Sequence, residues 1–181
     1  MYIFRKNTIS LHMLLIFLML VVLGCARLPP YTARIDNAVS KDIVLNNIAL
    51  KDIVLNDLQG VPVSLSSLKN NPTILFFWTT WCPYCRQELR MLNQKHSLMA
   101  KEGIVILGIN VSESENKVQR FFKGYQLNFK MLLDKAGLLA DKYDLMGVPT
   151  YVFLDKTGQV ISQTHSLPAN YKSLLFNETL K

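Results

Sequence analysis

The apolar and β-branched run Thr73–Trp78 leads into Trp81-Cys82-Pro83-Tyr84-Cys85, and this junction constrains the fold more than any other feature of the chain. A run without polar alternation reads as a central strand buried on both faces. Proline directly after Cys82 suits the first position of a helix, where its missing N–H costs no hydrogen bond. A helix is therefore predicted from about Pro83 to His96, with Cys85, Leu89 and Leu92 at helical spacing. A buried strand feeding such a helix belongs in a sheet covered by helices.

The segments downstream repeat that alternation. Ile104–Val111 reads as a second buried strand, and Val118, Phe121, Phe122 and Tyr125 recur three and four apart as on an amphipathic helix. Met131–Leu133 is a short strand and Leu138–Tyr143 a short helix. Thr150–Leu154 and Val160–Gln163 form a hairpin across Asp155-Lys156-Thr157-Gly158, and a last helix runs from about Ala169 to Leu180. Upstream, Leu58–Leu65 suggests a short hairpin and Ser66–Leu68 a helical turn. The expected class is α/β: a central mixed β-sheet, parallel in the middle and antiparallel at its edges, with helices on both faces. With 181 residues, half of them hydrophobic, the chain has room for one such core, which excludes two sizeable domains and a disordered chain.

The amino terminus points outside the cytoplasm. Arg5 and Lys6 precede the apolar stretch Ile9–Leu23, the order of charges and apolar residues in a secretory signal. Val22-Leu23-Gly24-Cys25 resembles the lipobox of bacterial lipoproteins, which implies a signal peptide over 1–24 and lipid attachment at Cys25. An uncleaved anchor and a free cysteine in a chance apolar run are the alternatives. Several acyl chains can hold a folded domain on a membrane where one chain is marginal. Ala26, in place of Asp, resembles outer-membrane sorting in diderm bacteria. The net charge of +7 comes from scattered lysines and arginines with no basic cluster, so no nucleic-acid partner is expected.

Residues 25–40, with Pro29-Pro30 and no period, read as a tether. Lys41-Asp42-Ile43-Val44-Leu45-Asn46 then recurs as Lys51-Asp52-Ile53-Val54-Leu55-Asn56. Two copies do not make a solenoid. The segment 41–56 supplies either added strands or, in its first copy, only a duplicated stretch of tether, and the main domain is placed at 57–181.

Phe77-Trp78-Thr79-Thr80-Trp81-Cys82-Pro83-Tyr84-Cys85-Arg86-Gln87-Glu88, followed downstream by Gly147-Val148-Pro149-Thr150, resembles the thioredoxin superfamily. More narrowly, the pattern is similar to its extracytoplasmic, membrane-tethered TlpA, ResA and DsbE branch. The resemblance covers about two thirds of the chain and implies a thioredoxin-like fold. It also implies a cis Val148–Pro149 bond packed against the cysteine pair, with the backbone of Val148 presented to a substrate chain. By the same resemblance Glu88 handles protons, and Trp81, Pro83, Tyr84, Val148 and Pro149 contact substrate. One position departs from cytosolic thioredoxins, which carry a buried aspartate six residues before the first cysteine: here it is Phe76, which cannot relay a proton.

The chemistry follows from the residues as well. A thiolate is the nucleophile of disulfide exchange, and the orphan N–H groups and dipole of a helix N-terminus stabilise it, by up to about 2 kcal/mol when partly buried. Cys82 occupies that end and is expected to attack; Cys85, one turn on and more buried, is expected to resolve the mixed disulfide. No cofactor beyond the Cys82–Cys85 disulfide is then needed. Two other readings of the pair remain. It could be half of a zinc site, though the other nitrogen and sulfur ligands after the signal, Cys25, His96 and His165, lack the usual spacing. It could also be an inert structural disulfide. Glu88 has an equally plain reading, as an exposed helix carboxylate.

The resemblance implies a thiol-disulfide oxidoreductase acting as a reductant of oxidised exported proteins, apocytochrome c among them, recharged by a membrane thiol-electron donor. Tyr84 between the cysteines carries no charge that would drive an extreme thiolate pKa. Two alternatives stand beside this: an envelope disulfide oxidase or isomerase, and a non-catalytic lipoprotein using the domain for binding or assembly. Peroxide reduction is disfavoured because no Pro-x-x-x-Thr/Ser-x-x-Cys arrangement precedes Cys82.

Overall fold

The computed structural model describes residues 53–176. The expected signal, Cys25, the tether and the first copy of the repeat lie outside them. The second copy enters the sheet: β1 (Val54–Asp57) is followed by β2 (Pro62–Ser64), with Ile53 and Leu55 buried and Val54 exposed in the period-two manner of an outer strand. This hairpin lies earlier in the chain than the Leu58–Leu65 pattern suggests. The reason is the Asp57 carboxylate, whose Oδ1 accepts from the N–H of Gln59 at 3.0 Å and of Val61 at 2.9 Å and so closes the turn there. A 3-10 turn, Leu65–Leu68, leads on to β3 (Thr73–Trp78).

All six residues of β3 are buried, because the strand is sandwiched between two layers. After it come α1 (Pro83–Lys101), β4 (Val105–Val111), α2 (Glu115–Phe121), β5 (Lys130–Asp134), α3 (Leu138–Lys142), β6 (Thr150–Leu154), β7 (Val160–Thr164) and α4 (Tyr171–Phe176). The first helix runs beyond His96 because Met99 continues the buried stripe begun by Cys85, Leu89 and Leu92. The second stops before Tyr125: the chain leaves the helix at Phe122 and turns at Gly124, whose φ of 78° suits glycine.

The sheet order is β2-β1-β5-β4-β3-β6-β7. The three central neighbours β5, β4 and β3 are parallel, and every outer pairing is antiparallel. The parallel pairs follow from the crossovers through α1 and α2; of the antiparallel ones, β1–β2 and β6–β7 are short hairpins, while β1–β5 and β3–β6 join strands distant in sequence. The β6–β7 turn is held by Asp155, whose Oδ1 accepts from Thr157 N–H at 2.8 Å and Gln159 N–H at 2.9 Å. This is the mixed α/β arrangement of the thioredoxin-like fold.

Two cores flank the sheet. Ile74, Phe76 and Trp78 of β3 face Leu89 and Leu92 of α1, Val118 of α2 and Leu175 of α4. Leu75 and Phe77 face the other way, toward Leu65 and Leu68 of the 3-10 turn and Leu139 of α3. On the first side the indole N–H of Trp78 donates to the Met131 sulfur at 2.9 Å. Gly108 of β4 lies beneath that sulfur: a Cβ there would come within 2.6 Å of it.

Candidate active site

The site forms where β3 ends and α1 begins, at the carboxyl end of the parallel strands, the usual place for chemistry in an open α/β sheet. Cys82 is the N-cap of α1, with extended backbone at φ −79° and ψ 112°, and Pro83 takes the first helical position. Its sulfur accepts from the backbone N–H of Cys85 at 3.1 Å, so an orphan helix donor is aimed at the nucleophile position. Cys82 and Cys85 are joined as a disulfide with Cα atoms 5.2 Å apart. Only 3% of Cys82 is accessible and none of Cys85. Among the described residues no group of three or more His, Cys, Asp or Glu side chains is placed to hold a metal ion.

Around this small sulfur window stands an apolar rim. Trp81 is 64% exposed, Tyr84 71% and Met146 88%. Trp81 is thus a surface residue, not a core one, and Met146, two residues before Val148, is an exposed apolar side chain to which sequence reading assigned nothing. Pro83 is exposed between the two aromatics. Val148 and Pro149 are half-buried, their peptide bond is cis, and the carbonyl oxygen of Val148 lies 3.7 Å from the Cys82 sulfur. The loop is braced from behind. Thr150 gives its hydroxyl proton to the Gly147 carbonyl at 2.7 Å, and His165 Nδ1 lies 2.9 Å from the Pro149 carbonyl and 3.2 Å from that hydroxyl. Both of these neighbours can only accept, so Nδ1 carries the imidazole proton.

Glu88 is half-buried on α1, three residues after Cys85 and hence on the same helical face. Its Oε2 accepts the phenol proton of Tyr151, a fully buried residue of β6. Burial first, then the Glu88 carboxylate, push the Tyr151 phenol far above its ordinary pKa, so it stays a donor. Phe76 stands directly across the sheet from Tyr151, their ring centroids 4.9 Å apart.

A second carboxylate was missed by sequence reading. Glu113, buried just past β4, accepts from the Thr80 N–H at 2.7 Å, the Thr80 hydroxyl at 2.7 Å, the Asn110 amide at 2.8 Å and the Lys117 ammonium at 2.6 Å. Burial pushes its carboxyl up, but the Lys117 ammonium and the Asn110 and Thr80 donors outweigh that and hold it below its ordinary value. It anchors the loop two residues before Cys82. The available signal was position: an acidic residue at the carboxyl end of a parallel strand.

The AhpC/TSA family profile matches residues 47–163. The chain belongs to this family. The AhpC/TSA match contains Thr80, the cysteine pair, Glu88, Glu113 and the Val148–Pro149 loop, and ends just before His165. Thiol-disulfide oxidoreductase ResA of Bacillus subtilis (strain 168) is 32% identical over 116 residues, covering 61% of this chain and 65% of that protein. The chain therefore spans just under two thirds of this curated relative, and 55% of ResA from Geobacillus kaustophilus. Among solved structures, a secreted Mycobacterium tuberculosis disulfide oxidoreductase homologous to E. coli DsbE is similar with a TM-score of 0.58 and 28% identity, over 68% of this chain and 92% of that one. StoA from Bacillus subtilis has a TM-score of 0.57 and 25% identity, over 65% and 90%. Within the AhpC/TSA family this chain thus has the ResA- and DsbE-like form of the thioredoxin fold.

Proposed function

We propose that this chain is an extracytoplasmic thiol-disulfide oxidoreductase that reduces disulfides in exported proteins, apocytochrome c among the candidates, and is held at the membrane by lipid on Cys25. The observation that carries the reading is the Cys82 sulfur at the N-cap of α1, facing the Cys85 N–H and lying beside the Val148 carbonyl. A helix N-terminus favours thiolate, and the free backbone beside it favours an extended client chain.

In this reading the reduced Cys82 thiolate attacks one sulfur of the client disulfide. A Cys82–client bond forms, and the other client sulfur leaves as a thiolate and takes a proton. Glu88 accepts the Cys85 proton, and the Cys85 thiolate attacks the Cys82 sulfur. The Cys82–Cys85 disulfide closes and the second client sulfur departs. The client gains two electrons from the enzyme dithiol, and a membrane thiol donor restores it. Trp81, Tyr84 and Met146 bound the apolar approach, and Val148 and Pro149 the polar one. Similarity to ResA and to the DsbE homologue supports thiol-disulfide exchange, and the uncharged Tyr84 offers no drive toward a strongly oxidising pair.

The deciding measurement is the reduction potential of the detergent-solubilised chain, followed by tryptophan fluorescence in dithiothreitol and glutathione buffers. A value near or below that of thioredoxin, about −270 mV, supports a reductant. A value near that of DsbA, about −120 mV, makes the protein an oxidant of newly exported proteins instead. Trapping with Cys85→Ala, which leaves the mixed disulfide unresolved, identifies the clients.

A further inference from the structure

The site holds a buried side chain, Tyr151, that the proposed exchange leaves unused. Tyr151 lies two residues past Pro149 on β6, none of it is accessible, and among the described residues its hydroxyl has a single partner, Glu88 Oε2. A buried phenol left without a partner is costly, so this bond holds Tyr151 and Glu88 to each other. No other protein donor among the described residues reaches the Glu88 carboxylate, which leaves Oε1 available. The ring is fixed independently of the hydroxyl, by Phe76 at 4.9 Å across the sheet and Phe153 at 6.3 Å along the strand.

We infer that Tyr151 is a positioning residue for the resolving half-reaction: its phenol locks the Glu88 carboxylate against β6 so that the free oxygen is presented to Cys85. The inference rests on the reading of Glu88 as the proton acceptor. A glutamate on a helix has three side-chain torsions and sweeps a wide volume, and proton transfer needs hydrogen-bond reach. One bond to a fully buried donor removes most of that freedom. With Phe76 at this place no acid stands below the cysteines on β3 itself. Glu88 on α1 then supplies a protein base on the face of Cys85, and its steering bond comes from β6. The same bond ties the helix carrying Cys85 to the strand that follows the client-binding loop.

The chemistry divides the two halves of the reaction. Attack by Cys82 on the client requires no proton from Cys85, whereas attack by Cys85 on the Cys82–client disulfide requires that its thiol lose one. A positioning role for Tyr151 therefore touches the second step alone. A structural role would lower stability and disturb both.

The test is a single-turnover reaction of the reduced, detergent-solubilised full chain with a peptide dimer linked by one disulfide. Samples are acid-quenched so that the mixed disulfide is counted. Tyr151→Phe, which keeps the ring and its packing, is expected to leave formation of the mixed disulfide unchanged. It should slow resolution by about three- to tenfold, the scale of the net contribution of one ordinary hydrogen bond. In a Glu88→Gln background the same substitution should add nothing, a full coupling in the double-mutant cycle. Glu88→Asp, which draws the carboxylate back by one methylene, should slow resolution to a similar degree and also mask Tyr151→Phe. This variant keeps the test open should Tyr151→Phe fold poorly. The inference is overturned if Tyr151→Phe slows both steps alike, slows neither, or acts equally in the Glu88→Gln background. If Glu88→Gln itself leaves resolution unchanged, the reading of Glu88 falls and the inference falls with it. If Glu88→Gln slows resolution and Tyr151→Phe does not, only the role of Tyr151 is lost.

Discussion

Glu113 holds Thr80 by both of its donors: the backbone N–H meets Oε2 and the hydroxyl meets Oε1, each at 2.7 Å. Every partner of this carboxylate is a donor, including Asn110 Nδ2 and Lys117 Nζ. An amide in its place would set its NH2 against one of them. Glu113→Gln is therefore expected to destabilise the fold by about 2–3 kcal/mol, read from urea unfolding at neutral pH. Because the loop it anchors carries Cys82, disulfide exchange should slow as well. Equal stability of variant and parent would refute the network's role.

The same group sets an acid limb. Its folded pKa is held below the ordinary glutamate value, so its stabilisation is complete above that value and is lost as pH falls through the folded one. Unfolding free energy should decline between about pH 5 and pH 3, and the decline should be shallower in Glu113→Gln. Parallel pH curves for the two proteins would show that other carboxylates govern acid unfolding.

Trp78 and Met131 form a buried polar contact within the core layer that α1 covers. Met131→Leu keeps the volume but leaves the indole N–H without an acceptor, at an expected cost of about 1–2 kcal/mol. Gly108→Ala places a methyl against the same sulfur and should cost about 1–3 kcal/mol by overpacking. Since both changes act on one side chain, the double variant should lose less than the two losses combined, as thermal or urea unfolding would show.

The exposed rim separates binding from stability. Trp81→Ala and Tyr84→Ala remove side chains that are mostly in solvent, so melting should move little, within about 0.5 kcal/mol. Turnover of a protein disulfide is expected to fall several-fold while reduction of a small aromatic disulfide is largely kept. Equal losses on both substrates would move these aromatics from client docking to a role in the cysteine chemistry.

In the reduced protein, Cys82 should be alkylated first and at lower pH than an ordinary thiol of pKa about 8.5, because the Cys85 N–H and the head of α1 favour its thiolate. Mass mapping after a brief pulse of iodoacetamide reads the order directly. Preferential labelling of fully buried Cys85 would reverse the assigned roles.

Much of the site was legible because its main parts are local. Cys82, Pro83 and Cys85 share one helix start, and the apolar run Thr73–Trp78 announces the strand that delivers them. The hairpin at Asp155–Gly158 is equally local, a carboxylate bonding the N–H groups just ahead of it. Glu113 gave no such sign. Its importance comes from Thr80, which is brought to it by the parallel pairing of β3 with β4. The loop before β6 likewise comes beside Cys82 only in the fold, through the Val148 carbonyl.

By itself the sequence determined the alternation of strands and helices, the two-sided burial of β3 and the place of the cysteine pair at the head of α1. These follow from apolar periodicity and from the backbone preferences of proline and glycine, which act over a few residues. Only the tertiary structure decided which side chains meet across elements: Tyr151 with Glu88, Glu113 with Thr80, His165 with the Pro149 carbonyl, Trp78 with Met131. Such contacts depend on strand order and register. A shift of one residue would turn the strand members of these pairs, Tyr151, Trp78 and Met131, to the opposite face of the sheet.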